Sequence, residues 1–166
     1  MTRRLLVLAA VVAAAAFAAP ADSKPDYSGE WKLNIEKSNF GPMPGPDSEV
    51  LTIVHKDPSV TEHQARVGGP MGDATVDFKF TTDGNESSNT IKTPNGDIEM
   101  KTTMAWDGDS LTSTSKLDIQ GMEINVTSKW ELSTDGKVLT MNSKIGTPQG
   151  DFETSQVYDK APEKTN

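Results

Sequence analysis

Five short turns divide the segment from Pro94 to Tyr158 at intervals of about a dozen residues. Each turn is marked by a polar residue followed by glycine. Asn-Gly and Asp-Gly favour the positive-φ geometry of tight hairpin turns, because glycine has no Cβ to clash there. Such regular interruption predicts five consecutive antiparallel strands joined by short connections. The pairs are Asn95-Gly96, Asp107-Gly108, Gln120-Gly121, Asp135-Gly136 and Gln149-Gly150.

Between these turns, charged residues alternate with apolar or weakly polar ones. A period of two places successive side chains on opposite faces of a strand. One face bears charges such as Lys101, Glu123 and Lys144 and belongs in water. The other face is apolar or weakly polar and must cover a shared interior. We predict that this inward set, with Trp31 from the first strand, comprises Met100, Thr102, Met104, Trp106, Ser113, Ser115, Met122, Ser128, Trp130, Met141, Ser143, Phe152, Thr154, Gln156 and Tyr158.

The first part of the chain extends the same architecture. Residues 37–47 are rich in proline and glycine, which predicts an irregular loop or at most one helical turn. Polar residues 86–93 predict a weak strand, a candidate for an edge or a gap. Successive hairpins without a long crossover favour a barrel, so we predict an all-β, up-and-down antiparallel meander barrel of about 8–10 strands. The other early strands are expected over 27–34, 48–56, 60–67 and 76–80.

The first 21 residues are typical of a secretory signal peptide, which we expect to be helical. A basic start precedes the apolar run 5–19 and small residues at the exit. The run is shorter than the ~20 residues of a membrane-spanning helix. We predict cleavage before Asp22 or slightly earlier, then a lead-in at 22–26, the barrel at 27–160 and a charged tail at 161–166. With no cysteine for lipid attachment, the expected location is the periplasm or the medium, and the alanine-rich leader is typical of bacteria.

The chain is acidic, with a formal net charge of −8 over 166 residues. Loss of the leader removes Arg3 and Arg4 and no acid, which leaves −10. A strongly negative surface disfavours nucleic acid and anionic membranes as partners. We therefore expect a monomer whose partner, if it has one, is a small apolar molecule.

The inward set supports two interpretations, which the sequence leaves open. Methionine adapts to irregular apolar ligands, and Trp and Tyr add area with one polar tip, so the set suits a pocket wall. The same residues can instead fill a small barrel in a structural or envelope-stress protein. Hydroxyl and amide groups on the inward face favour the pocket, because water can satisfy them there. The predicted ligand-binding residues are Trp31, Met100, Met104, Trp106, Met122, Trp130, Met141, Gln156 and Tyr158.

No catalytic constellation is visible in the sequence, and we predict neither an enzyme nor a cofactor. The chain lacks cysteine and has no phosphate-binding glycine motif. Its two histidines, His55 and His63, flank the predicted turn at Asp57-Pro58-Ser59. If they paired across that hairpin near Glu62, they would form a metal or haem site, so a barrel enzyme is a further alternative.

Several stretches taken in order resemble the calycins, in particular the fatty-acid-binding proteins. Their last strands commonly follow the patterns W-x-G-x-x-L, E-L-x-D-G-K-x-L and R-V-Y-x-K. The opening Ser28–Ser38 is also similar to exported bacterial lipocalin-like proteins that begin S-G-x-W-K-L-N-x-x-K-S. Both resemblances imply a β-barrel. The matching stretches are Trp106–Leu111, Glu131–Leu139, Gln156–Lys160 and, for the shared G-x-W opening, Gly29–Trp31.

The chain departs from the fatty-acid binders at the site that the resemblance implies. That family holds a carboxylate with two arginines and a tyrosine. Tyr158 matches the tyrosine, whereas Gln156 replaces one arginine and Trp130 roughly replaces the other. The helical lid of that family is also absent from the sequence. The resemblance therefore implies a neutral or weakly polar ligand, because an anionic head group loses its charge-assisted hydrogen bonds.

Overall fold

The computed structural model describes residues 24–69, 72–93, 96–119 and 121–162. The predicted signal peptide lies outside them, as does most of the charged tail. Among the residues described, no helix is long and apolar enough to cross a membrane. Ten strands account for most of this part of the chain: β1 Gly29–Leu33, β2 Ser48–Lys56, β3 Ser59–Val67, β4 Ala74–Thr81, β5 Asp83–Thr93, β6 Gly96–Asp107, β7 Ser110–Ile119, β8 Met122–Leu132, β9 Val138–Thr147 and β10 Gly150–Lys160.

The strands form a single antiparallel sheet that curls into a nearly closed barrel. Their order is β4-β3-β2-β1-β10-β9-β8-β7-β6-β5, so every chain neighbour except β4 and β5 is also a ladder neighbour. The pairing of β1 with β10 joins the two ends of the chain, Trp31 being opposite Lys160. The predicted up-and-down meander barrel is confirmed, and so is the weak strand over 86–93, which lies within the edge strand β5.

Two hydrogen bonds made by one side chain connect the edge strands β4 and β5. Asn89 of β5 is buried, and its amide oxygen accepts a hydrogen bond from the Lys79 backbone N–H of β4 at 2.8 Å. The Asn89 amide nitrogen donates to the Lys79 carbonyl at 3.1 Å. One side-chain amide thus satisfies a backbone donor and acceptor that a ladder would otherwise pair.

The loop between β1 and β2 follows the wall of β10. Within residues 34–47, all of them described, it contains one 3-10 turn, Ile35–Lys37, and no helical lid, as predicted. Asn39 exchanges two backbone hydrogen bonds of 2.7 Å with Ser155 of β10. The Ser38 hydroxyl accepts another from the Val157 N–H at 2.9 Å. The loop is therefore fixed to the barrel wall before its proline-rich part begins.

One end of the barrel is closed by a packed core. Tyr27 precedes β1 and is fully buried, and its hydroxyl donates to the Trp130 carbonyl at 2.8 Å. Burial raises the pKa of Tyr27 to about 12, so its proton stays in place at physiological pH. The Trp31 indole N–H donates to the Tyr27 carbonyl at 3.0 Å. Residues packed at or near this end include Leu51, Ile53, Val60, Leu111 and Leu139.

Candidate functional site

The barrel contains a cavity of about 270 Å³ next to the packed core. This volume is slightly below the ~300–1,000 Å³ of typical small-molecule pockets. Apolar side chains form one part of its wall, among them Phe78, Phe80, Met100, Met104 and Trp130. Polar side chains form the rest. The interior is therefore neither a filled core nor a purely apolar pocket.

A belt of hydroxyl groups crosses four neighbouring strands at one level of the cavity. Ser113, Ser128, Ser143 and Thr154 are successive register partners from β7 to β10. The hydroxyls of Ser128 and Ser143 are hydrogen bonded at 2.7 Å. One level further, Thr102 and Ser115 form a 2.8 Å hydrogen bond. All the small polar residues that were predicted to face inward line the cavity, namely Thr102, Ser113, Ser115, Ser128, Ser143, Thr154 and Gln156.

An ion pair at one side of the interior was not expected from the sequence. Glu49 of β2 is opposite Arg66 of β3 in the ladder, and its side chain is 0% exposed. Arg66 Nε lies 2.5 Å from Glu49 Oε2. The Tyr158 hydroxyl donates to Glu49 Oε1 at 2.6 Å. Both oxygens of this buried carboxylate therefore have a partner.

The tyrosine of this network is held in its protonated form. Burial raises the pKa of Tyr158 well above 10, and the neighbouring Glu49 carboxylate raises it further. Tyr158 is therefore a permanent donor, and Glu49 accepts its hydrogen bond. The Tyr158 hydroxyl and Arg66 Nε are therefore both already hydrogen bonded to Glu49.

A second carboxyl group, that of Glu62, faces the same cavity. Glu62 lies on the inward face of β3, four residues before Arg66 on the same strand. Burial raises the pKa of Glu62 to about 8, the nearby Glu49 contributes to the rise, and Arg66 opposes it in part. Glu62 is consequently protonated at neutral pH.

The arginine of the cavity comes from a strand that the resemblance did not indicate. Gln156 and Trp130 do line the cavity, but Arg66 enters it from β3. Arg66 differs from a free arginine because it is paired with the internal carboxylate of Glu49. A signal for this cluster exists in the alternation of β3, where Val60, Glu62 and Arg66 share a face.

The structure separates the nine predicted ligand-binding residues into two groups. Six of them surround the cavity together: Met100, Met104, Trp130, Met141, Gln156 and Tyr158. Three do not line it: Trp31, Trp106 and Met122. Because alternation defines the face of a strand but not the height along the barrel, it could not separate the two groups.

The three residues outside the cavity wall have distinct surroundings. Trp31 is fully buried in the core that closes the barrel. Trp106 is half-buried at that same end, and its indole N–H donates to Asp57 Oδ1 at 3.0 Å. Met122 is 37% exposed because it begins β8 directly after a turn, at the opposite rim. A ligand role for these three residues requires contacts outside the cavity.

The two histidines lie on opposite faces of the β2–β3 hairpin. His55 is paired with Val60 and faces the barrel end, whereas His63 is paired with Thr52 and faces outward. His63 Nδ1 lies 2.7 Å from Asp77 Oδ1. The two imidazoles therefore cannot share an ion across the hairpin. Within residues 24–162, apart from the short gaps at 70–71, 94–95 and 120, no three His, Asp or Glu side chains form a metal-binding group.

His55 belongs to an aromatic cluster at the closed end. Its ring lies 5.8 Å from that of Tyr27 and 5.6 Å from that of Trp106. His55 Nε2 is 3.6 Å from Asp57 Oδ1, too far for a hydrogen bond. Hydrogen bonds from the Thr82 hydroxyl and the Trp106 indole lower the pKa of Asp57. The cluster thus fixes the turn between β2 and β3 against the barrel.

A smaller cavity of about 200 Å³ adjoins the interior at the other end. Its outer wall is formed by the β1–β2 loop, with Phe40, Met43, Pro44 and Pro46. Its inner wall is shared with the main cavity at Arg66, Ile145, Thr154 and Gln156. The β1–β2 loop therefore lies against this end of the interior.

Solved structures of similar fold were found by comparison. The zebrafish ileal bile acid-binding protein complexed with cholic acid has 19% sequence identity and a TM-score of 0.55, over 81% of this chain and 98% of its own. Secretory abundant heat soluble protein 4 from Ramazzottius varieornatus has 12% identity and a TM-score of 0.51, over 86% and 100%. A Schistosoma mansoni fatty acid binding protein in complex with arachidonic acid has 15% identity and a TM-score of 0.47, over 82% and 96%.

The two likenesses with TM-scores above 0.5, together with the strand order, define the fold class. The described part of the chain is an up-and-down β-barrel of ten strands with a calycin-like fold, similar to the fold of the zebrafish ileal bile acid-binding protein. No protein-family model and no curated protein sequence matches the chain. At identities below 20%, the likenesses describe the fold and leave the ligand to be argued from the cavity.

Proposed function

We propose that this protein is an exported, non-enzymatic carrier or sensor that binds a small apolar ligand without an anionic head group inside the barrel. The cavity of about 270 Å³ is the observation that supports the proposal, because its wall combines aromatic rings and methionines with a hydroxyl belt. Such a wall suits a ligand that is mostly apolar and has few polar groups. The zebrafish protein of similar fold was solved as a complex with cholic acid, which is consistent with a ligand-binding role for this barrel.

The exclusion of anionic ligands depends on the charged side of the cavity. Arg66 is the one basic residue among those that line the cavity in the described parts of the chain. Glu49 holds it in a buried ion pair, so a ligand carboxylate would have to displace an internal carboxylate. That exchange leaves a buried charge without a partner, which is costly.

The two alternatives are less well supported. A structural or envelope-stress protein with a filled core does not explain an interior cavity lined by hydroxyl groups. A metal- or haem-dependent enzyme required the two histidines to meet, and they face opposite sides of the hairpin.

Filling the cavity tests the carrier proposal. We expect wild-type protein to bind the uncharged fluorophore N-phenyl-1-naphthylamine saturably, with increased dye emission on excitation of tryptophan. Ser128→Leu places a larger side chain in the cavity and should weaken binding about tenfold or more. Thr127→Leu, the matched control on the outer face of β8, should bind like wild type. If the dye emission does not saturate with wild-type protein, the result contradicts the carrier proposal and supports the alternative of a filled core.

The export part of the proposal is supported by the leader at residues 1–21. We expect expression in a Gram-negative host to yield a shortened protein in the periplasmic fraction. N-terminal sequencing of that protein should give a start at or slightly before Asp22. Full-length protein confined to the cytoplasm would contradict export and would leave the ligand proposal untouched.

A further inference from the structure

Glu62 is an ionisable group that the fold leaves without a partner in the cavity wall. It lies in β3 between Ile53 of β2 and Phe78 of β4 in the ladder. The residue is 7% exposed and its side chain lines the cavity. No donor in the described parts of the chain is hydrogen bonded to its carboxyl group. The carboxyl oxygens are not among the fully buried atoms without a partner, so they are accessible from the cavity, where a ligand can contact them.

The neighbouring charged groups are hydrogen bonded to one another and not to Glu62. Arg66 is paired with Glu49 at 2.5 Å, and the Tyr158 hydroxyl donates to the same Glu49 at 2.6 Å. These three are the titratable or charged groups that act on Glu62 in its surroundings. The cavity therefore contains one balanced ion pair and one surplus carboxyl group.

We propose that the ligand carries a basic amine and that the Glu62 carboxylate is the counter-ion of its ammonium group. The inference rests on the proposed function, since it requires that the cavity bind a ligand, and it narrows that ligand to a chemical class. A ligand ammonium would pair with the Glu62 carboxylate. A ligand carboxylate would instead be a third acidic group, after Glu49 and Glu62, beside an arginine that is already paired with Glu49. A charge-assisted hydrogen bond is about twice as strong as a neutral one, so an amine also gains more than an alcohol.

The wall around Glu62 suits an alkyl or aryl ammonium. Phe78, its ladder neighbour, also lines the cavity, and the face of an aromatic ring attracts a cation. Met100 and Met104 offer apolar surface for the rest of the molecule. The acidic surface, at a net charge of −8 for the whole chain, favours the approach of cations rather than anions.

Binding of an amine must transfer a proton to the solvent. Burial keeps the pKa of Glu62 at about 8, so the free protein holds this proton at pH 7. An aliphatic amine, like the side chain of lysine, keeps its own proton at that pH. When the ammonium binds, the Glu62 O–H bond breaks, the carboxylate keeps the electron pair, and one proton passes to the buffer.

Three ligands that share one alkyl chain test the inference: octylamine, 1-octanol and octanoate. Isothermal titration calorimetry at pH 7 should show octylamine bound about tenfold more tightly than 1-octanol, with octanoate weakest. Titrations in buffers of different ionisation enthalpy should show release of close to one proton per octylamine. Glu62→Gln should remove the amine preference, so that octylamine binds no more tightly than 1-octanol, and should also remove the proton release. Glu153→Gln, on the outer face of β10, should behave like wild type.

The outcomes separate the two proposals. Binding of none of the three ligands by wild-type protein overturns the carrier proposal and the inference with it. Equal binding of octylamine and 1-octanol leaves the carrier proposal standing and overturns the role of Glu62. An amine preference that persists in Glu62→Gln also overturns it, because the counter-ion must then be another group.

Discussion

We expect Arg66→Met to lower the free energy of unfolding by about 3–5 kcal/mol at pH 7, because it leaves the buried Glu49 carboxylate without its counter-ion. The Glu49 side chain is 0% exposed, so in the wild-type protein its charge is compensated by Arg66 and Tyr158 rather than by bulk solvent. Domains are stable by about 5–15 kcal/mol in total, so the expected loss is a large share of the stability. Urea unfolding followed by circular dichroism measures the change.

A double variant shows whether the loss comes from the orphaned charge. Glu49→Gln combined with Arg66→Met removes both charges and should recover most of the stability, since a neutral amide still accepts the Tyr158 hydrogen bond. Lys144→Met, which breaks the exposed 2.9 Å pair with Asp151, is the control and should leave the unfolding midpoint unchanged. Equal stability of Arg66→Met and wild type would show that Glu49 does not depend on Arg66.

The sequence was sufficient to predict the architecture because its signals are local. Strand β2 has the expected bounds, Ser48–Lys56, and the turns at Gly108, Gly121, Gly136 and Gly150 all have positive φ. A glycine at such a position and a period of two on each side define a hairpin almost without tertiary information. Because short connections make consecutive strands neighbours, an up-and-down meander is the simplest way for the sheet to form a barrel.

The charged side of the cavity could not be predicted from local turn and alternation patterns. Glu49, Glu62 and Arg66 were not assigned inward positions, because charged residues are rarely buried without a partner and the partner lies on another strand. In β2, Leu51 and Ile53 share the buried face with Glu49, whereas Val54 on the other face is 60% exposed, so hydrophobicity alone does not separate the two faces. Only the register of β2 against β3, in which Glu49 is opposite Arg66, resolves the assignment.

The cluster of Glu49, Glu62 and Arg66 also changes the reason for proposing a ligand without an anionic head group. In the sequence, the reason was the replacement of two arginines, whereas the structure contains an arginine that an internal carboxylate already occupies. The two situations differ in what a substitution does. In a site without an arginine, removal of an acid releases no guanidinium, whereas loss of Glu49 would free Arg66 Nε and the Tyr158 hydroxyl together.

A second large effect is expected from Glu62→Gln, which should stabilise the protein in alkaline solution. The pKa of Glu62 is about 8 in the folded protein, against the ordinary value of 4.5 for the unfolded chain. Below pH 4.5 both states are protonated and this residue imposes no penalty. Between pH 4.5 and 8 the unfolded chain releases the proton while the folded protein keeps it, so the stability of wild type falls as pH rises. Since one pKa unit corresponds to about 1.4 kcal/mol, the full penalty above pH 8 is on the order of 5 kcal/mol.

Glutamine has nearly the shape of protonated glutamate and does not ionise, so Glu62→Gln should match wild type near pH 4.5 and exceed it in stability by several kcal/mol at about pH 8.5. Urea unfolding at half-unit steps between these values gives both curves. The carboxyl groups with lowered pKa, such as that of Asp57, titrate on the acid side of this window and affect both proteins alike. Glu153→Gln should reproduce the wild-type slope. Parallel curves for wild type and Glu62→Gln across the whole window would mean that Glu62 ionises in the cavity as easily as in water, and its carboxylate would then already have a partner.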